Sequence, residues 1–290
     1  MASLKDVKVK IAAVKKTKQI TKAMNMVASA KLRGAQSRIE RFRPYADKFY
    51  EMLGELAKGA DESVHPLLAV HEEIKTTAIV LITSDRGLCG SFNTNLINAA
   101  NKLAKAKTAE GKTVKFYCIG KKGRDFFRKQ PYEIVMQQAG VMNAFDFSLA
   151  SSVGSEIINA YLSGALDEVV LVYGKFVSVA KQLPTQQTIL PMADQAVSET
   201  KGSSKDYIYE PSVEGLLAEL LPRFINVQVY RGLLDTSTSE HAARMAAMDN
   251  ATRACDDMVG ALTLLYNKTR QTTITKELMD IVGGAEALKG

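Results

Sequence analysis

One loop of this sequence combines glycines, a carboxylate and a thiol at a point where chemistry would be expected. Residues 84–93 read SDRGLCGSFN and follow an apolar, β-branched run, residues 76–83, that predicts a buried strand. A helix is predicted over residues 91–107, and α/β sheets place phosphate-binding loops at such strand-to-helix turns. The loop lacks both the G-x-G-x-x-G and the G-K-[ST] patterns. Gly87 and Gly90 therefore favour a simple tight turn, and a phosphate site is the alternative.

The other residues able to do chemistry do not group into a recognisable site. His65, His71 and His241 are predicted in or near loops and at a helix start, and none has a second His or Cys at metal-ligand spacing. Nothing resembles the G-x-S-x-G nucleophile motif. The cysteines are widely spaced in apolar settings, which indicates small buried or seam residues in a reducing compartment. They are Cys89, Cys118 and Cys255. No metal or cofactor is expected from these residues.

The last part of the chain predicts one long helix, assigned to residues 212–288. Residues 223–290 contain no proline, and small or apolar positions step alternately by three and four. These positions are Met245, Met248, Thr252, Cys255, Val259, Leu262, Tyr266 and Thr269. Such spacing keeps one seam facing a partner helix, as in a coiled coil. Fully helical, residues 223–290 would be roughly 100 Å long, which points to mechanical reach or coupling.

This seam is predicted to break after Thr269, because the next apolar position is Ile274, a step of five. The segment beyond the break is apolar and rich in small residues. Its members are Ile274, Leu278, Met279, Ile281, Val282, Gly283, Gly284, Ala285, Ala287 and Leu288. A segment this apolar is expected to insert into a partner rather than to face water.

The beginning of the chain predicts the partner of this helix. Residues 1–43 also lack proline and carry an apolar stripe. The stripe positions are Leu4, Val7, Ile11 and Val14, and Ile20, Met24 and Val27 are expected to resume it. Pro44 should kink the helix, which is predicted to run over residues 1–58. Antiparallel pairing would bury both stripes within one chain; two separate helices on a globular core are the alternative that periodicity leaves open.

Charge is concentrated in the first helix. Residues 1–43 carry twelve Lys and Arg against Asp6 and Glu40, a net of +10, whereas the whole chain is +7, so residues 44–290 sum to −3. A basic helix can bind nucleic acid, an anionic membrane surface or an acidic protein. A solvated polar face is the simpler explanation, but the excess favours a partner.

The middle of the chain predicts a small α/β domain over residues 75–192. Strands are predicted at residues 76–83, 114–119, 169–173 and 178–190, and helices at residues 91–107, 120–129 and 145–162. This alternation predicts a mostly parallel sheet covered on both faces. Residues 193–206 are polar and contain turn-forming residues, and a mobile loop is predicted over residues 193–211. The predicted fold is therefore α/β, a long antiparallel coiled coil of the terminal helices with an inserted Rossmann-like domain.

Four motifs in this order resemble the gamma subunits of F-type ATP synthases, and the resemblance covers the whole chain. The most specific is ITKELMDIVGGAEA at residues 274–287, which is similar to the C-terminal signature of that family. Residues 10–36 (KIAAVKKTKQITKAMNMVASAKLRGAQ) look like its opening helix, and residues 240–252 (EHAARMAAMDNAT) like the start of its shaft helix. SDRGLCGSFN resembles the motif after its first strand.

The resemblance implies a rotor shaft without a catalytic site or cofactor of its own. It implies alpha and beta subunits, three of each around one shaft, with epsilon and the membrane rotor ring at its foot, and no nucleic acid. Carried over by position, the residues expected to contact beta and act in coupling are Lys18, Lys22, Met24, Arg244, Gln271 and Thr275. Those expected to touch epsilon and the ring are Tyr207, Tyr209 and Glu210. The motif loop contributes Asp85, Arg86, Gly87, Cys89 and Gly90.

The location expected is the cytoplasmic face of a bacterial inner membrane, with membrane contact only through the complex. The sequence has no signal peptide and no run of 18 apolar residues. Met1 is followed directly by the helix, and the close cysteine pair of the chloroplast branch is missing, which also resembles bacterial members. The rivals from other classes are a basic coiled-coil nucleic-acid-binding protein and a nucleotide-dependent enzyme using the α/β domain.

Overall fold

The computed structural model describes residues 3–58, 66–68, 73–192 and 213–288. Contacts divide the chain into two compact units: Met1–Ala28 with Met245–Gly290, and Ser29–Arg244. The helices are α1 (Leu4–Lys58), α2 (Phe92–Ala109), α3 (Lys121–Phe127), α4 (Phe147–Leu162) and α5 (Val213–Ala287). The predicted mobile loop, residues 193–211, lies outside the described residues. The predicted domain boundaries stay a prediction.

The unit formed by residues 29–244 is built on a five-stranded sheet. Its strands are β1 (Thr76–Ile82), β2 (Thr113–Ile119), β3 (Glu133–Gln138), β4 (Glu168–Ser178) and β5 (Lys181–Leu190). The order is β3-β2-β1-β4-β5, and all pairings are parallel except that of the edge strand β5, which runs antiparallel to β4. Pro184 is tolerated in β5 because an edge strand need not donate every backbone N–H to a neighbour.

One strand, β3, is missing from the sequence prediction. Its residues, EIVMQQ, alternate between exposed and half-buried positions, and none is fully buried. An edge strand of this kind lacks the continuous apolar run that marks a central strand. The interpretation of the α/β class is unaffected, since β3 extends the parallel part of the sheet.

Both faces of the sheet are covered, as predicted. Along β1, Ala78, Val80 and Ile82 belong to a cluster that includes Ile157 of α4 together with buried side chains of α1 and α5. Ile79 and Leu81, on the opposite face, join a second cluster with α2 and the end of α3. This alternation follows from the two-residue period of a strand, because a strand buried on both sides must be apolar at every position.

The unit formed by residues 1–28 and 245–290 is an antiparallel helix pair. Thr21 Oγ1 lies 2.8 Å from Thr252 Oγ1, and the Asn25 side-chain amide donates to the Met245 carbonyl oxygen at 2.8 Å. Lys18 forms an ion pair with Asp256. Residue numbers rise along α1 while those of the partners fall, which confirms the antiparallel coiled coil.

The seam on α5 follows the sequence prediction position by position. All eight predicted residues from Met245 to Thr269 are buried or half-buried, and their neighbours on the far side are exposed. The seam then continues one step further than predicted, to Thr273, while Ile274 is 46 % exposed. Beyond it the apolar side chains face outward, and Leu278, Ile281 and Leu288 are 58 to 90 % exposed.

The seam on α1 differs from its prediction in the second half. Ile20 and Val27, expected to resume the stripe, are 53 % and 58 % exposed. The seam instead continues the three-four alternation from Val14 through polar and small residues: Lys18, Thr21, Asn25 and Ala28. The prediction was wrong because it followed hydrophobicity, whereas the heptad spacing was preserved by side chains that hydrogen-bond across the pair.

We expect Thr21→Lys to loosen the helix pair and Ile20→Lys to leave it intact. Thr21 is 9 % exposed and bonded to Thr252, so a lysine there would lose a hydrogen bond and force a charge into the seam. The cost is about 2 kcal/mol, which lowers the hydrogen-exchange protection of amides in residues 14–28 by roughly 30-fold. Ile20→Lys, on the exposed neighbour, should change protection by no more than about twofold. Equal effects of the two substitutions would contradict the observed seam.

Candidate functional site

The loop after β1 is closed by its own side chains. The backbone N–H of Ser84 donates to Asn93 Oδ1 at 3.0 Å, and Asn93 Nδ2 donates to Ser84 Oγ at 2.8 Å. Ser84 Oγ also donates to the Arg86 carbonyl oxygen at 2.6 Å. Both Ser84 and Asn93 are buried, so these bonds satisfy polar atoms removed from water and fix the ends of the loop.

Asp85 accepts a group of backbone N–H donors that follow strands β2 and β3. Its carboxylate accepts the backbone N–H groups of Lys121 at 2.9 Å, Gly140 at 2.8 Å and Met142 at 2.9 Å. Convergent backbone donors of this kind, including the first residue of α3, are typical of anion-binding nests. Because a carboxylate of the chain itself fills the nest, the geometry favours the structural turn over the phosphate site.

A buried ion pair joins this loop to α5. Arg244 pairs with Glu240 one turn earlier on the helix, and its guanidinium also donates to the Gly87 carbonyl oxygen at 3.0 Å. Both charged residues are less than a tenth exposed. The pair therefore fixes the position of the loop on the helix with charge-assisted bonds.

His241 lies within α5, which corrects its predicted place near a loop or at a helix start. The helix is continuous through this region because its residues are packed in the core of the unit. The His241 Nδ1 atom lies 2.9 Å from a Glu240 carboxylate oxygen without the alignment of a hydrogen bond. Within the described ranges, no group of three or more His, Cys, Asp or Glu could hold a metal ion.

The Cys89 and Cys118 thiols are unsuited to nucleophilic chemistry. Burial, and then the Glu240 charge, raises the pKa of Cys89, although the Arg244 charge partly opposes this. Burial raises the pKa of Cys118 to about 12. Since the thiolate is the reactive form, both cysteines stay neutral and act as small packing residues, as the sequence indicates. Cys255 is half-buried on the seam.

The outer side of the loop presents Arg86 and Leu88. Leu88 is 64 % exposed and has a φ of 64°, in the left-handed region that costs a residue with a Cβ roughly 1–2 kcal/mol. Gly90, with a φ of 60°, takes the same conformation without that cost. Sequence reasoning did not single out Leu88, because a backbone conformation leaves no mark in hydrophobic periodicity.

The residues carried over as contacts fall into different environments. Lys22, Gln271 and Thr275 are exposed, and Met24 is half-buried. Lys18 and Arg244 instead use their charges within the chain, on Asp256 and Glu240. Tyr207, Tyr209 and Glu210 lie outside the described residues. Sequence reasoning missed the partners Asp256 and Glu240; the four-residue spacing of Glu240 and Arg244 was the available signal.

Among the residues that the structure describes, none of the helices is both long and apolar enough to cross a bilayer.

Comparison with known proteins assigns the family. The family model described as ATP synthase matches residues 3–288. The ATP synthase gamma chain of Nitratidesulfovibrio vulgaris (strain Hildenborough) is 75 % identical over the full length of both chains. The chain belongs to the ATP synthase gamma-chain family. The gamma chain of Lawsonia intracellularis, also matched over its full length, is 56 % identical.

Solved structures agree with this assignment. A chain from the central stalk and c-ring of the Tetrahymena thermophila mitochondrial ATP synthase matches with a TM-score of 0.61 at 27 % identity, covering 80 % of this chain and 99 % of that one. A chain of the Euglena gracilis mitochondrial enzyme shares the fold with a TM-score of 0.68 at 20 % identity, over 98 % and 94 % of the two chains. The family recognised from the four motifs is confirmed, and the nucleic-acid-binding alternative finds no support.

We expect Arg244→Ala to destabilise the chain by about 3 kcal/mol, because it leaves the buried Glu240 carboxylate without its cation. Replacing both partners, in Glu240→Gln with Arg244→Met, should cost about 1 kcal/mol or less. The measurement is the free energy of unfolding in denaturant.

Arg253→Ala is the matched control. Arg253 pairs with Asp249 at the same four-residue spacing on α5, but the two side chains are 75 % and 49 % exposed. Its loss should cost less than about 0.5 kcal/mol. An Arg244→Ala variant as stable as this control would show that the buried pair does not hold the loop.

Proposed function

We propose that this chain is the rotating central shaft of a bacterial F-type ATP synthase, coupling ion flow through a membrane ring to ATP synthesis and hydrolysis. The observation that carries the proposal is the antiparallel pairing of residues 18, 21 and 25 with residues 256, 252 and 245, in a chain matched to the family from end to end. A long paired helix with an apolar extension is suited to transmit rotation through a surrounding sleeve.

The physical basis of the coupling is asymmetry. The two helices of the pair carry different side chains, so the pair cannot present the same surface to three surrounding sites at once. Each beta subunit would then meet a different face and be held in a different state. Because a contact shifts a conformational equilibrium only through its different free energies in the two states, rotation of the pair exchanges the states of the three sites.

Within the shaft we assign the outward contacts to Lys22, Met24, Gln271 and Thr275. Three of these residues are exposed and Met24 is half-buried, which, together with the positive charge of the first helix, fits acidic loops on the beta subunits. Lys18 and Arg244 would act indirectly, by fixing the helix pair and the motif loop. Arg86 and Leu88 are the side chains that the motif loop offers to a partner.

The chain would contribute no catalytic group of its own. Asp85 fills the anion nest, and the Cys89 and Cys118 thiols are held neutral, which supports placing the nucleotide chemistry on the beta subunits. Tyr207, Tyr209 and Glu210 are proposed to contact epsilon and the membrane ring. The complex would then lie on the cytoplasmic face of the inner membrane.

The test of this function is recovery of the tagged full-length chain from its native membrane fraction, with subunit stoichiometry by native mass spectrometry. We expect one copy with three each of two nucleotide-binding subunits, in a preparation that hydrolyses ATP. Recovery alone, or with nucleic acid, would overturn the proposal, and salt-dependent duplex binding would then identify the basic helix as a phosphate-binding surface.

Charge reversal at Lys22 tests the outward contacts. In the assembled complex, Lys22→Glu should lower proton pumping per ATP hydrolysed to roughly a third of the wild-type value, because it places a negative charge against acidic loops. Lys22→Arg retains the charge and is expected to pump normally. If the Glu variant assembles and pumps as well as the Arg variant, Lys22 does not contact an acidic surface.

A further inference from the structure

A small cavity lies within the unit of residues 29–244, where α1, β4 and α5 meet. Its volume is about 70 Å³, and no part of it coincides with the motif loop. The space corresponds to roughly five water molecules, given about 10–15 Å³ for each. Its apolar wall comes from Ile39, Phe42, Ala46, Phe176 and Leu234. A nucleotide is too large for this space, whereas a single tetrahedral anion is of the right size.

Charged side chains from α1, β4 and α5 line this cavity. Three cations, Arg43 of α1, Lys175 of β4 and Arg231 of α5, line it together with the acids Asp47 and Asp235. Across the ranges that the structure covers, neither Arg43, Lys175 nor Asp235 forms an ion pair within 4.0 Å. Cations and carboxylates therefore face the same space without closing on one another.

Arg231 is held in place for a ligand on this side. Its guanidinium lies over the Tyr50 ring, 5.5 Å from the ring centre, in a cation–π contact. A guanidinium fixed in this way loses little conformational freedom when it binds a further group, and its planar fork suits oxyanions. The more exposed Arg43 and Lys175 stand at the opening, where they can attract an anion.

When it is ionised, the Asp235 carboxylate repels an anion in this cavity. Burial raises its pKa to about 6, against the lowering effects of Arg231, of a backbone N–H of Phe176, and of Lys175 and Arg43. With Asp235 ionised the five charged groups sum to +1, and with Asp235 protonated they sum to +2. The cavity is thus more favourable to an anion when this carboxyl carries a proton, and the proton can itself be donated to an anion oxygen.

We propose that this cavity binds a small free oxyanion of the inorganic phosphate class, with Asp235 taking up one proton from solvent as the anion enters. Arg231 and Lys175 bind the anion oxygens, and Arg43 closes the opening. None of the residues that line this cavity belongs to the surfaces assigned to rotation. A negative result for anion binding would therefore leave the proposed function unchanged.

Sulfate is the probe, because it stays divalent over the range in which Asp235 titrates, whereas phosphate changes its own charge. Calorimetric titration of the full-length chain with sodium sulfate, at constant ionic strength, should give saturable binding that is about tenfold weaker at about pH 8 than at about pH 5. The sign follows from linkage: the protonated form binds better, so affinity falls as the pH rises through the Asp235 pKa. Inorganic phosphate should compete with sulfate for the same site.

Matched variants separate the site from general charge effects. Lys175→Ala and Arg43→Gln should each weaken sulfate binding by about five- to tenfold. Lys181→Ala and Arg41→Gln remove exposed charges from the same hairpin and the same helix, outside the cavity, and should change the affinity by less than about twofold. Equal effects of lining and control variants would overturn the proposal and assign the binding to the basic surface.

Asp235→Asn provides a test that misfolding cannot imitate, because it predicts a gain. The amide keeps the shape of the side chain and removes its negative charge, so sulfate should bind more tightly at about pH 8 and lose its pH dependence. Circular dichroism would verify that the helix content is unchanged. Absence of saturable sulfate binding to the wild-type chain at about pH 5, or an unchanged pH profile in Asp235→Asn, would show that the cavity holds water only.

Discussion

The constraint on which this structure depends is that neither long helix can bury its stripe alone. A stripe that repeats every 3.5 residues gives an apolar face too narrow to pack against a globular core. It packs against another helix with the same repeat. Because the two helices come from opposite ends of the chain and pair antiparallel, residues near 25 and 245 are brought into contact. The chain between them must therefore leave and return at one place, which is the topological condition for an inserted α/β domain.

Hydrogen bonds as well as apolar packing fix the register of the two paired helices. Thr21 and Thr252 share a hydrogen bond, and Asn25 bonds a backbone carbonyl, so a shift of either helix would break specific partners. Polar groups at seam positions lower stability but fix alignment, as in other coiled coils. The same arrangement turns Ile20 and Val27 outward, where apolar side chains can contact a sleeve without directional bonds that resist sliding.

In the α/β unit, the buried polar groups hold the motif loop in position. A loop at the carboxyl end of a central strand commonly binds phosphate. Here Asp85 of the loop accepts backbone N–H groups that follow β2 and β3, and Glu240 holds Arg244. The result is a loop that is rigid enough to keep Leu88 in a strained, exposed conformation. Such preorganisation lowers the entropic cost of any contact that the loop makes.

The sequence by itself determined the helix pair, the α/β class and the family, because apolar periodicity and local motifs are carried by neighbouring residues. The seam of α5 could be identified position by position, since its members are mostly apolar or small. The second half of the α1 seam could not, because Lys18, Thr21 and Asn25 become seam residues only through partners more than 200 positions away. The edge strand β3, the internal roles of Asp85 and Arg244 and the charged cavity around Asp235 were likewise decided by tertiary structure. In each case, whether a polar side chain faces water, a backbone donor or an opposite charge depends on groups that only folding brings together.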